Sequence, residues 1–271
     1  MHKTRVITSI VGLVVLITII VQGNLLLFWL AVSAATVIGL REFYAIIEAR
    51  ELPVYRLFGV LLGWVISLNF LLSSIFDHVI LTNFTLTLIL LALLLYALLT
   101  KRSLTESIPA IASTLLGIFY VSWLFSHLTL LYNFKYGREF IFYLLLVVWS
   151  GDTGAYYSGK AFGKHRLAPL ISPKKTIEGA VGGTVASLLT SCLAKLTFLP
   201  LLGYKDCVLL GLLLAVVAQL GDLCESMLKR GANVKDSGTI LPGHGGILDR
   251  VDGVLFAAPV LYYYSLIFLV M

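Results

Sequence analysis

The sequence predicts an all-α, polytopic integral membrane protein with about nine transmembrane helices. Of its 271 residues, 59% are hydrophobic and only 13% are charged, whereas a soluble domain is about half apolar and a quarter charged. The apolar residues also fall into runs of about 20, the length that crosses the hydrocarbon core of a bilayer. We therefore expect the lipid bilayer as a partner and no nucleic acid.

The predicted spans follow one another along the whole chain and are separated by polar segments, most of them short. The first apolar run follows basic residues, as in a signal peptide, but no small-residue cleavage site follows it, so it is kept as a span. The spans are 5–22, 24–47, 57–76, 79–99, 108–131, 139–159, 176–199, 205–227 and 251–270.

The lysines and arginines predict the orientation, because cytoplasmic loops of membrane proteins are enriched in them. With the N-terminus in the cytoplasm, sixteen of the 20 lysines and arginines fall in cytoplasmic segments. We therefore expect a cytoplasmic N-terminus and a C-terminus outside. The two long polar loops, 160–175 and 229–250, then face the cytoplasm, where nucleotides and Mg²⁺ are available.

Ionisable residues are distributed unequally and predict three functional segments. Residues 1–78 are expected to be a scaffold in contact with lipid, and 79–138 to offer a dimer contact. Residues 139–271 are expected to form the catalytic part with its two cytoplasmic loops. Arg41 and Glu42, the exception in the first part, are expected to pair or to reach the interface rather than to catalyse.

Asp152 follows a fully apolar run inside the sixth span. A buried aspartate at such a place needs a cation, a metal ion or a proton. Gly151 and Gly154 flank it, so another helix or a ligand can approach closely. The alternative is a polar residue that only fixes helix packing.

The segment after Ser172-Pro173 carries a helix-start signal, followed by Lys174, Lys175 and Thr176. The N-terminus of a helix attracts anions through its free N–H groups and its dipole. Two lysines at that position predict a triphosphate site. Glu178, in the first turn, is either a helix-stabilising acid or a functional one.

Two helix ends carry acidic residues on one face. Asp222 and Glu225 stand three residues apart, as do Asp249 and Asp252, and Lys229 continues the first face. Magnesium takes oxygen ligands, typically one or two carboxylates with substrate phosphates and water. The four carboxylates therefore allow a second cation, or leave Glu225 and Asp252 to pair with basic neighbours.

The polar stretch 226–252 contains Gly-His-Gly-Gly at 243–246, which allows a tight turn and a close approach to a ligand. His244 is expected either to donate a hydrogen bond to a phosphate or to structure the loop. Charges with flexible glycines suit a divalent cation and phosphates. The alternative is a solvated loop with helix-capping charges.

These motifs together resemble the signature of the phosphatidate cytidylyltransferases, also called CDP-diacylglycerol synthases. The blocks at 152–156 and 172–179 resemble the same family, and the resemblance covers about residues 145–256. The elements of the main motif are Ser226, Lys229, Arg230, Lys235, Asp236, Gly238, Pro242, His244, Gly245, Gly246, Asp249, Arg250 and Asp252.

The resemblance implies transfer of CMP from CTP to phosphatidic acid, which gives CDP-diacylglycerol and pyrophosphate and requires Mg²⁺. It also implies a homodimer in a bacterial cytoplasmic (inner) membrane with the active site facing the cytoplasm, and admits a monovalent cation such as K⁺ beside the magnesium. The nucleophile is the lipid's own phosphate, so the protein would supply positioning and charge neutralisation. We expect a polar cavity among spans six to nine, open to the cytoplasm and to the inner leaflet.

The expected roles fall into three groups. The catalytic group is Asp152, Lys175, Asp222, Asp249 and Arg250. The metal ligands are Asp222, Glu225, Asp249 and Asp252. The CTP contacts are Lys174, Lys175, Thr176, Lys229, Arg230, His244, Gly245 and Gly246.

Two other functions remain open from the residues alone. One is a CTP-dependent lipid kinase or a cytidylyltransferase acting on another lipid phosphate. The other is a cation or phosphate transporter that uses the acids within the membrane.

Overall fold

The computed structural model describes residues 2–76, 79–240 and 245–269, and this part of the chain is helical apart from one short hairpin. The helices are α1 (His2–Gln22), α2 (Leu25–Glu48), α3 (Arg56–Phe76), α4 (Val79–Leu99), α5 (Leu104–Gly117), α6 (Leu124–Tyr132), α7 (Gly137–Phe162), α8 (Ile177–Thr197), α9 (Tyr204–Gly231) and α10 (Leu248–Phe268). A π-helical stretch, Ile118–Trp123, joins α5 to α6.

Within these described ranges, seven helices are long and apolar enough to cross a membrane. They are Leu25–Glu48, Arg56–Phe76, Ile80–Leu99, Leu104–Tyr132, Ile177–Thr197, Tyr204–Gly231 and Leu248–Phe268. The prediction of a helical membrane protein is therefore confirmed. The number of nine spans and the orientation of the termini stay predictions.

The chain folds as two compact units. Unit one comprises the described residues of 1–133 and 231–250, and unit two those of 134–230 and 251–271. The two units are defined by packing and not by function. The roles expected for the three predicted segments therefore stay predictions.

Unit one is built around buried aromatic side chains of α2 and α3. Tyr44 is fully buried, and its hydroxyl donates a hydrogen bond of 2.9 Å to the Thr114 carbonyl oxygen. Gly59 and Gly117 lie directly against its ring, where a Cβ atom would collide. These contacts fix α2, which matters because α2 also carries Glu42.

Unit two is organised by the close packing of α7 against α8. A Cβ atom on Gly154 would lie 2.5 Å from the Cβ atom of Ala186, and one on Gly182 would overlap the Ser158 side chain. A Cβ atom on Gly151 would lie 2.5 Å from the Ser187 hydroxyl oxygen. The expectation that a helix approaches closely at Gly151 and Gly154 is confirmed, and this packing holds Asp152 beside the start of α8.

The connection between α7 and α8 is an antiparallel hairpin of β1 (Arg166–Ala168) and β2 (Ser172–Thr176). The prediction of a helix start at Ser172-Pro173 was therefore wrong, because pairing with β1 holds the segment extended through residue 176. Helix α8 begins after Thr176, whose Oγ1 atom accepts a 3.1 Å hydrogen bond from the Gly179 N–H. Lys174 and Lys175 thus lie on a strand that leads into the helix.

Candidate functional site

A cavity of about 390 Å³ lies within unit two, between the C-terminal part of α7, strand β2, the start of α8 and the second half of α9. Both acidic and basic side chains line it. Those that carry chemistry are Asp152, Tyr156, Lys160, Lys174, Lys175, Thr176, Gln219 and Asp222. The sequence predicted a polar cavity among spans six to nine; this one is lined by three of those four spans, carries charged side chains among apolar ones, and leaves the predicted openings to the cytoplasm and the inner leaflet as predictions.

Lys175 and Asp222 form an ion pair inside this cavity, with 2.5 Å between Nζ and Oδ2. The two side chains are 26% and 33% exposed, so both remain accessible to a ligand. The sequence assigned the lysine to phosphate binding and the aspartate to a metal ion. The structure places the two side chains in contact.

Asp152 and Asp252 complete the charge arrangement around Asp222. The three carboxylates are close enough to act electrostatically on one another. Helix α9 crosses α10 closely here, since a Cβ atom on Gly221 would lie 2.5 Å from the Asp252 carbonyl oxygen. Glycine at that crossing is what lets α9 and α10 bring their acids together.

Glu225 lies one turn farther along α9 and is 1% exposed. Lys229 lies 2.5 Å from its Oε2 atom, an ion pair at i, i+4 spacing. The pairing of Glu225 with a basic neighbour was one of the two predicted alternatives. Arg230, at the end of the same helix, is exposed.

Within the described residues, no group of three or more His, Cys, Asp and Glu side chains is arranged to hold a metal ion. Mg²⁺ requires fewer protein ligands, since one or two carboxylates with substrate phosphates and water complete its octahedral shell. Asp152 and Asp222 line one cavity with two lysines suited to phosphates. This donor set fits an Mg²⁺ ion that binds together with a nucleotide.

Asp249 belongs to unit one, where it binds the described residues of the glycine-rich loop, residues 236–247. Its Oδ2 atom accepts hydrogen bonds from the Ser237 N–H at 2.9 Å, the Ser237 hydroxyl at 2.9 Å and the Gly246 N–H at 2.8 Å. Gly245 has φ +84°, the left-handed conformation that glycine adopts without strain. The turn predicted over 243–246 stays a prediction, because residues 243 and 244, and so His244, lie outside the described residues.

Glu42 does not form the ion pair with Arg41 that the sequence analysis offered as one alternative. It is 5% exposed and accepts hydrogen bonds from the Ile247 and Leu248 N–H groups at 3.0 and 2.9 Å. Its backbone neighbour Arg41 is exposed. The available sequence signal was a single acid within an apolar span. Its partners lie about 200 positions away, so no local sequence pattern could identify them.

Glu178 ties the hairpin to α8. Its carboxylate accepts hydrogen bonds from the backbone N–H groups of Lys164 and His165 and lies 2.6 Å from His165 Nδ1. Gln219 was not predicted; its side-chain amide donates to the Ala180 carbonyl oxygen at 3.2 Å and so fixes α9 against α8 beside the cavity. A polar residue three positions before Asp222 was the available signal.

The site can be compared with known proteins. A sequence profile of the Cytidylyltransferase family matches residues 3–268. The chain is 37% identical over 272 residues to the phosphatidate cytidylyltransferase of Bacillus subtilis, with 98% of each chain covered. It is 40% identical over 273 residues to that of Brucella suis, covering 98% of this chain and 94% of the relative. To that of Synechocystis it is 33% identical over 302 residues, covering 99% and 98%. As the motifs predicted, the chain belongs to the cytidylyltransferase family.

Proposed function

We propose that the chain transfers CMP from CTP to phosphatidic acid, forming CDP-diacylglycerol and pyrophosphate. The observation that carries this function is the full-length similarity to relatives named phosphatidate cytidylyltransferase. The helices suited to a bilayer fit a substrate whose acyl chains stay in the membrane.

The cavity of unit two is the proposed site for the nucleotide phosphates. Lys174 and Lys175 bind the triphosphate. A phosphate oxygen replaces the Asp222 carboxylate as the partner of the Lys175 Nζ atom. The carboxylates of Asp222 and Asp152 would hold Mg²⁺, which would supply charge neutralisation at the phosphates. Lys175 stays within reach of the same phosphates throughout.

The reaction is an in-line displacement at the α-phosphorus of CTP. A phosphate oxygen of phosphatidic acid forms the new P–O bond, and the bond from the α-phosphorus to the bridging oxygen of the β-phosphate breaks. The bonding electrons leave with pyrophosphate, whose charge the lysines neutralise. The protein needs no nucleophile of its own, because the lipid supplies it.

The glycine-rich loop supplies the second group of proposed contacts. Gly245, Gly246 and Arg250 contact the nucleotide, and Asp249 contributes to the ion site. Lys229 and Arg230 add positive charge for the leaving pyrophosphate. Glu225 and Asp252 either bind a further cation such as K⁺ or pair with Lys229 and Arg250.

The proposed setting is a bacterial inner membrane, with nine spans, the N-terminus in the cytoplasm and the C-terminus outside. The cavity then opens to cytoplasmic CTP and to the inner leaflet, and its basic residues attract the anionic lipid headgroup. A homodimer is part of the same proposal.

A product assay tests the function and separates it from the alternatives. The purified protein is incubated with phosphatidic acid and CTP labelled at either the α- or the γ-phosphorus. We expect α-label in CDP-diacylglycerol and γ-label in pyrophosphate. Transfer of γ-label to the lipid would instead establish a kinase. Ion or phosphate uptake by proteoliposomes without CTP turnover would establish a transporter.

A further inference from the structure

We propose that Glu42 is a positioning residue of the active site, which holds the glycine-rich loop and the start of α10 in the geometry that CTP use requires. This assignment rests on the proposed roles of Asp249 and Arg250, which lie at that helix start. It gives α2, a helix of the supposed scaffold, an indirect part in the reaction, through the backbone that it holds.

The contacts of Glu42 account for both of its carboxylate oxygens. Oε1 accepts from the Ile247 N–H at 3.0 Å, and Oε2 accepts from the Leu248 N–H at 2.9 Å. Oε2 also lies 3.3 Å from the Ser237 hydroxyl. Among the described residues, no lysine or arginine forms an ion pair with it. The buried charge is therefore stabilised by N–H groups at the N-terminus of α10, where the helix dipole favours an anion.

Ser237 connects Glu42 to Asp249. Its hydroxyl oxygen lies 3.3 Å from Oε2 of Glu42 and 2.9 Å from Oδ2 of Asp249. A hydroxyl carries one hydrogen, and the shorter distance assigns it to Asp249. Glu42 therefore acts chiefly on the backbone of 247–248. Ser237 lies between the two carboxylates and donates its hydroxyl hydrogen to that of Asp249.

The loop is shaped to fit the Glu42 carboxylate. A Cβ atom on Gly238 would lie 2.6 Å from Oε1, and one on Gly246 would overlap both Oε2 and the Ser237 hydroxyl. Two glycines thus let the backbone close around the acid. A residue that served only to fill space in α2 would require neither the two glycines nor the convergence of two backbone donors on its carboxylate.

The chemistry of the side chain explains why an acid is needed. A glutamine offers one acceptor oxygen, and its NH₂ group would face N–H donors on the other side. Glu42→Gln therefore loses at least one backbone hydrogen bond and sets two donors against each other. Glu42→Asp keeps the charge but withdraws it from the loop by one methylene group.

The test compares Glu42→Gln and Glu42→Asp with Glu48→Gln, a control on the same helix whose carboxylate pairs with Arg56 at the surface. Two quantities are measured on the purified full chain: amide hydrogen exchange over 236–250, and kcat/KM separately for CTP and for phosphatidic acid. We expect faster exchange at 247 and 248 and a loss of about tenfold in kcat/KM for CTP in Glu42→Gln. The kcat/KM for phosphatidic acid is expected to stay within about twofold, because the proposed contacts of the loop are to the nucleotide.

Glu42→Asp should lie between wild type and Glu42→Gln in both measurements, and this second variant keeps the test valid if the first does not fold. Unchanged exchange at 247 and 248, or faster exchange with unaltered CTP kinetics, would overturn the positioning role. An equal loss for both substrates would also overturn it, since that is the result of general destabilisation. If the wild-type chain makes no CDP-diacylglycerol, the proposed function fails, and the exchange data still decide whether Glu42 anchors the loop.

Discussion

The Nζ atom of Lys175 lies 2.5 Å from the Oδ2 atom of Asp222, although 47 positions separate the two residues in the chain. The contact joins strand β2 to helix α9 across the cavity. A phosphate and a divalent cation would each bind one member of this pair, so binding of one ligand frees the partner for the other. We therefore expect a triphosphate and Mg²⁺ to bind jointly here rather than singly.

The first prediction concerns phosphate binding by Lys175. Lys175→Ala should lower kcat/KM for CTP by about 100-fold, the effect of removing one charge-stabilising donor from an active site, while KM for phosphatidic acid changes little. Steady-state kinetics with each substrate varied in turn measure this. Lys164→Ala is the matched control, because Lys164 is exposed in the same connection and should leave the kinetics intact. A loss restricted to phosphatidic acid would contradict the assignment.

The second prediction concerns the metal ion. Asp222→Asn and Asp249→Asn should each abolish CMP transfer while the protein stays folded, because an amide is a poor ligand for Mg²⁺ compared with a carboxylate. Turnover is followed against Mg²⁺ concentration, and folding by thermal unfolding in detergent. Glu106→Gln, at an exposed acid near the start of α5, should behave as wild type. Normal activity of both aspartate variants at low Mg²⁺ would remove them from the ion site.

The third prediction concerns the packing of α7 on α8. Gly154→Ala should lower the free energy of unfolding by about 1–3 kcal/mol, because its new Cβ atom would collide with that of Ala186. Adding Ala186→Gly should restore part of the loss, since it removes the other half of the collision. Thermal unfolding of the single and double variants measures both effects. Gly12→Ala is the control, as nothing lies within 4 Å of the added atom. Additive losses in the double variant would show that the two positions do not meet.

The fourth prediction concerns orientation. After replacement of Cys192, Cys207 and Cys224, Leu170→Cys should react with a membrane-impermeant thiol reagent from the cytoplasmic side alone. Leu170 is 94% exposed at the hairpin turn, which the charge distribution places in the cytoplasm. Tyr204→Cys, at a position 75% exposed at the start of α9, should react from the outer side alone. The reversed pattern in inverted and right-side-out vesicles would overturn the orientation.

The sequence predicted the helices well because the length and apolarity of a span are local properties. The hairpin at 166–176 was missed, since Ser172-Pro173 carries a helix-start signal and only pairing with Arg166–Ala168 makes the segment extended. Lys175 and Asp222 were both predicted as site residues, but their contact depends on how β2 meets α9, which no spacing reveals. Glu42 was missed for the same reason, since the donors that satisfy it lie far along the chain.

The burial of Glu42 has a consequence for the order in which the chain is completed. Its carboxylate is synthesised 205 positions before the Ile247 N–H group that it accepts, so α2 enters the membrane with an acid whose final partners do not yet exist. A carboxylate in that state is costly within a bilayer and becomes satisfied only when the last loop arrives. A chain that ends before residue 247 therefore lacks the two backbone donors that satisfy this carboxylate in the complete fold.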